Sequence, residues 1–273
     1  MELRLYHDPR CLLHENGPGH PERPERIQSI VRRVEANAFR ATPRIVEPPP
    51  ASREELERVH SATYVDEVEA SQERDRTVFD ADTGANRSTY LAATLSAGGA
   101  IATVRAACGG DDARSFVAMR PPGHHAEADR AMGFCLFNNA AVAAADALAS
   151  GLERVAIVDW DVHHGNGTDH IFEARSDVLY VSLHQSPHYP GTGRSTDVGR
   201  ADGAGYTVNV PLPAGSGESE YLRVLDDLVL PVMEQYRPQI LIVSAGFDAH
   251  ERDPLAGMLL DGGSYFEITR RLC

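Results

Sequence analysis

The chain has 273 residues, 42% of them hydrophobic and 24% charged, with a formal net charge of −14. This is the composition of a globular protein with a sizeable core, and its acidity excludes a chain that binds nucleic acid through basic patches, leaving at most a mild preference for cationic substrates. Cys11, Cys108, Cys135 and Cys273 are scattered without CxxC spacing, so neither a disulfide framework nor a thiolate zinc site is expected.

The opening MELRLYHDPR lacks the h-region of a secretory signal, and LRLYH within it reads as a first strand. A helix is expected over Pro24–Asn37, a strand at RIVE, a turn at EPPP (Glu47–Pro50), and helices over Arg53–Ala70 and Asn86–Cys108. The strand SFVAM follows, then a helix over Asn138–Ser150 and the strands RVAIVDW, VLYVSL and YTVNV. A helix over Ser219–Arg237 and the strand QILIVSAG complete the pattern. No apolar stretch is read as approaching the roughly 18 residues of a membrane span, so the expectation is a cytoplasmic protein without membrane contact. Several central strands are apolar throughout, which marks burial on both faces and hence a parallel sheet between two helix layers. With no linker or repeat, the expected architecture is α/β: a single-domain, three-layer open parallel sheet over residues 1–273.

Ligands of open parallel sheets bind beyond the carboxyl ends of the strands. SFVAM is followed by RPPGHHAE, RVAIVDW by DVHHGNGT, and QILIVSAG by FDAHERDP. Three strands thus deliver histidine and aspartate at their ends, which points to one site. In an extended segment Asp161 and His163 share a face and can reach one ion, with Asp248 as third ligand. Three protein ligands leave a coordination position open, as a catalytic metal requires. Asp159, on the same face as Asp161 but deeper, is expected to accept the N–H of a catalytic histidine. His164 points away from His163 and is read as a packing or hydrogen-bonding residue. His124 and His125, after Pro121, Pro122 and Gly123, suit acid–base work beside a cation, because imidazole titrates near neutrality.

RPPGHHA, GFCLFNNAAVAA, VAIVDWDVHHGNGT, YVSLHQSPHYPGTG, YTVNVPL and SAGFDAHERDPL, with HPERPERI near the N-terminus, resemble the successive motifs of the zinc-dependent histone deacetylase family. The likeness is to its class II-like bacterial amidohydrolase branch, which includes acetylpolyamine amidohydrolases. It runs in order along essentially the whole chain and implies the arginase/deacetylase fold. It implies hydrolysis of an acyl amide, acetyl-lysine or a related acetylated amine, with Zn2+ (or Fe2+) on Asp161, His163 and Asp248. His125 falls on the general base and acid, His124 on its electrostatic partner, and Asp159 on the carboxylate that orients His124. Asn166 occupies the position where the class I branch has a second such aspartate. Phe134 and Tyr189 match the aromatic walls of the channel for an acyl-lysine stem, with Gly133 beside the first, and Asp82 matches the acid at its rim. A structural K+ would use Asp159, Asp161, His163, Ser182 and Leu183. The stretch DVHHGN lacks the further aspartate that holds a second manganese in arginases, so one catalytic metal is expected.

The family's glycine-rich GGY loop, whose tyrosine donates to the oxyanion, has no counterpart before Cys273. The expectation is therefore a domain incomplete at its C-terminus and a catalytically weak protein, with self-association through an uncovered sheet edge. Tyr265 in DGGSYFEIT aligns better with the helix before that loop than with the catalytic tyrosine.

Overall fold

The structure is a computed structural model that describes residues 2–36, 43–110 and 114–273. Asn37, the last residue of the first expected helix, lies outside them. The chain is α/β with parallel sheets, and it packs as two compact units, residues 1–151 and 152–273.

In the first unit β1 (Leu3–Tyr6) is the middle of a parallel sheet, between β2 (Arg44–Val46) and β5 (Arg114–Val117). Helix α1 (Pro24–Glu35) begins with proline, whose missing N–H costs nothing there, and buries Ile27 and Val34. The helix expected over Arg53–Ala70 is two helices, α2 (Arg53–Glu57) and α3 (Ala62–Ala70). Ser61 separates them by capping α3, its Oγ accepting the Tyr64 N–H at 3.3 Å. A two-stranded antiparallel pair, β3 (Thr77–Val78) and β4 (Gly84–Ala85), was not expected and is too short to leave a periodic signal.

Helix α4 (Thr89–Cys108) has 20 residues and is long and apolar enough to cross a membrane by length and composition, which corrects the reading that no stretch qualifies. Its alanines, glycines and threonines hide that length from inspection, yet they pack it into this unit, where Ala92, Leu95, Ala97 and Ile101 are buried. A Cβ on Gly98 would meet the Pro49 carbonyl at 2.0 Å, so the EPPP turn lies directly on the helix. Helix α5 (Asn139–Ala149) is capped by Asn138, whose Oδ1 accepts the Ala141 N–H at 3.0 Å.

The second unit is built on a parallel sheet ordered β8 (Thr207–Leu212), β7 (Val178–Gln185), β6 (Val155–Asp159) and β9 (Ile240–Ser244). Every residue of β6 and β7 is buried, as expected for the apolar runs VAIV and VLYV that open them, and the burial extends to Asp159, Ser182, His184 and Gln185 beyond those runs. The short helix α6 (Asn166–Phe172) follows the DVHHGN turn and was not anticipated. The helix expected over Ser219–Arg237 comprises α7 (Glu218–Val224), a π-turn at Leu225–Val229 and α8 (Leu230–Tyr236). It stops at Arg237, left-handed at φ 52 before a proline. Helix α9 (Gly262–Leu272) is capped by Asp261, which accepts the Ser264 N–H at 2.9 Å. Trp160, Tyr221, Leu225 and Tyr265 pack against the sheet in one apolar core.

Candidate metal centre

Parallel pairing puts Asp159 at the end of β6 opposite Ser244 at the end of β9, so the segments after the two strands leave the sheet at one level. The chain does not continue extended after Asp159. Asp159 Oδ1 accepts the backbone N–H of Asp161 at 3.1 Å, and Asp161 Oδ1 accepts that of His163 at 2.9 Å. These local turns, typical of aspartate, replace the strand alternation expected for Asp161 and His163 and turn both side chains to one side. From the other segment, Asp248 Oδ1 accepts the Val162 N–H at 2.9 Å.

His163 Nδ1 then lies 3.0 Å from Asp161 Oδ1 and 3.0 Å from Asp248 Oδ2. One donor atom from each residue comes within 4.8 Å of the others, the convergence a cation needs. Burial works to lower the His163 pKa, but the two carboxylates outweigh it and lift it to about 10. Burial and the Asp161 charge push Asp248 up to about 6, against the pull of His163. Two carboxylates at this spacing hold positive charge between them, and one nitrogen with two oxygens is a donor set that Zn2+ or Fe2+ accepts. Gly246 leaves room for the Asp161 carboxylate in this arrangement, since a Cβ there would sit 2.1 Å from Asp161 Oδ2. The residues fit the group.

His188, not anticipated from sequence, stacks on His163 with ring centroids 4.9 Å apart, and Tyr189 meets the same ring edge-on at 6.0 Å. Nothing in a lone histidine before YPGTG signals this. Asp159 is fully buried, and its Oδ2 accepts the Tyr180 hydroxyl at 3.2 Å. Ser182 faces it across the β6–β7 ladder, and Leu183 is buried beside it. His164 is turned away from the Asp161–His163–Asp248 cluster: Nδ1 is 2.8 Å from Thr192 Oγ1 and Nε2 is 3.1 Å from Asp169 Oδ2. Asn166, buried, is the first residue of α6. Tyr265 lies inside α9, 7% exposed, against Phe247 at 5.1 Å, with no hydrogen-bond partner for its hydroxyl among the described residues. Burial raises its pKa strongly.

The remaining expected residues belong to the first unit. The His124 and His125 rings stand 4.0 Å apart at 45°, both buried. Gly133, at φ +56, passes so close that a Cβ would be 2.4 Å from His125 Cδ2. Phe134, also left-handed at φ 70, donates its N–H to Thr83 Oγ1 at 3.0 Å and meets His20 edge-on at 4.6 Å. Asp82 is half-buried, accepts the Thr83 hydroxyl at 3.2 Å, and has its pKa raised by burial and by Asp80. Arg120, fully buried ahead of the prolines, donates through Nε to Glu22 Oε1 at 2.8 Å. The HPERPERI motif therefore anchors the segment that carries the histidine pair, a role its sequence does not announce.

The histone deacetylase domain model matches residues 20–273. The chain is 40% identical over 269 residues to a probable deacetylase of Archaeoglobus fulgidus, covering 98% of this chain and 74% of that protein. It is 40% identical to the histone deacetylase-like amidohydrolase of Pseudomonas aeruginosa, covering 97% and 75%. It is 41% identical to histone deacetylase 15 of Arabidopsis thaliana, of which it spans half. The crystal structure of the HDA15 HD domain superposes with a TM-score of 0.95 at 40% identity, covering 98% of this chain and 81% of that one. By sequence and by fold, the chain belongs to the histone deacetylase family.

Proposed function

We propose that the protein is a zinc-dependent deacylase that hydrolyses an acetylated amine, with an acetyl-lysine side chain as the leading substrate. The convergence of Asp161, His163 and Asp248 carries this reading, and the family assignment supports it. These three residues would hold the metal, which when bound polarises the amide carbonyl and lowers the pKa of water. His125 takes the proton of the attacking water and returns it to the leaving amine. His124, oriented by Asp159, moderates the charge that His125 gains. The rings of Phe134 and Tyr189 grip the apolar stem, Gly133 lies beside that stem, and Asp82 takes a polar group at the rim. K+ is proposed for Asp159, Asp161, His163, Ser182 and Leu183, where Asp159 and Ser182 are buried face to face.

The test is turnover of a fluorogenic acetyl-lysine peptide by chelator-stripped protein before and after zinc is restored. Hydrolysis that returns with zinc is expected, and equal rates in both states would defeat the proposal. Acetylputrescine in the same assay decides between a peptide and a polyamine substrate.

A further inference from the structure

We propose that His60, outside both the ligand set and the histidine pair, is a positioning residue that closes the loop bearing Gly133 and Phe134 and so holds His124 and His125 in place. The proposal rests on the deacylase reading above. His60 lies in the break between α2 and α3, 3% exposed. Its Nδ1 is 2.9 Å from the Glu127 carbonyl and must therefore donate. Its Nε2 then accepts the Asn138 N–H at 2.9 Å. One neutral tautomer meets both demands, and burial keeps it neutral by lowering its pKa to about 4.

The two bonds span an irregular loop whose ends would otherwise leave buried backbone groups unsatisfied. Neighbouring residues reinforce them. The Ser61 N–H donates to the Ala128 carbonyl at 2.8 Å, and the Tyr64 hydroxyl donates to the Leu136 carbonyl. Both ends of residues 127–138 are thus tied to the short segment 60–64. Asn138 passes the constraint on, because its Nδ2 donates to the carbonyls of Ala126 at 3.3 Å and His124 at 3.5 Å. At the far end of the loop, Gly133 returns against the His125 ring. Slack at His60 therefore reaches the histidine pair from both sides.

His60→Phe removes both bonds while keeping a ring against Phe137, 5.3 Å away. His60→Gln places a carbonyl oxygen near the Nε2 position and restores the bond to Asn138. Zinc content, amide exchange across residues 124–138, and kcat and KM on an acetyl-lysine peptide are measured for each. The expected result for His60→Phe is unchanged zinc content, faster exchange in 127–138 and a kcat lower by about 10²-fold, the cost of small misplacements of reacting groups. His60→Gln should recover part of the kcat, and it keeps the test decisive if the phenylalanine variant fails to fold. Unchanged exchange in the loop overturns the proposal, as does parental kcat per folded molecule. If the parent protein shows no turnover, the deacylase reading falls, and the exchange data alone decide whether His60 holds the loop.

Discussion

In residues 152–273 the candidate ligands hang within a few residues of the ends of β6 and β9, while in residues 1–151 His124, His125 and Phe134 ride on a long irregular excursion between β5 and α5. Aspartate turns complete the first arrangement locally, with Asp159 and Asp161 each accepting the N–H two residues on. The second is held from a distance by Glu22 on Arg120, His60 on Glu127 and Asn138, and Thr83 on Phe134. A strand end supplies orientation through its own ladder. A long loop must take its orientation from buried polar ties, each costly to break because the partner is left unsatisfied.

The largest effect expected is on the strand-end side. Asp161→Ala or Asp248→Ala should abolish stoichiometric zinc binding, since two remaining ligands hold it poorly. Elemental analysis of each purified variant checks this, and full occupancy in both would remove the ligand assignment.

His125→Ala should separate the two regions. It should keep its zinc and lose hydrolysis by about 10²–10⁴-fold, the usual contribution of a general base. Parental turnover in this variant would move proton transfer elsewhere, with His124 next in line.

Glu22→Gln probes the distant ties. It leaves the Arg120 guanidinium buried without its carboxylate, a change that costs about 3–5 kcal/mol. Urea unfolding at neutral pH reads the loss, and a value within error of the parent would mean that the pair does not anchor the loop.

Acid should act more gradually. Burial lowers the pKa of His14, His60 and His184 from 6.5 to about 4, so the folded protein keeps them neutral while the unfolded chain protonates. Their stabilisation is complete above pH 6.5 and is lost as pH falls from 6.5 towards 4, at about 1.4 kcal/mol per pH unit for each histidine. Glu22, with a lowered pKa, keeps its contribution down to more acid conditions than an ordinary glutamate, so this window belongs to the histidines. His14 and His60 lie in the first unit and His184 in the second, where His188 is also lowered by burial, though less strongly. Exchange at pH 5 should therefore rise more in residues 1–151 than in 152–273, and the reverse order would break the contrast between them.

Much of the strand-end region is legible in the sequence. An unbroken apolar run followed by DVHH states both the buried strand and the polar turn at its end. A candidate ligand set could be named because carboxylates and histidine at that place have few other uses. The manner of their convergence was not legible, since it comes from aspartate side chains capturing backbone N–H groups rather than from strand alternation. The loop region was less transparent. HPERPERI and VHSATY give no local sign of their function, because their partners, Arg120 for one and Glu127, Asn138 and Leu136 for the other, lie about 70 to 100 residues away.

By itself the sequence determined the seven main strands, the parallel α/β class and the chemical character of the clusters at the strand ends, because hydrophobic period and residue type are local properties. Tertiary structure alone decided how Asp248 is brought against His163, that α4 is packed into a core, that the Arg53–Ala70 helix breaks at His60, and that Tyr265 is buried in α9. Each of these depends on which strand pairs with which and on hydrogen bonds across long loops, and no residue carries that information without its distant partner.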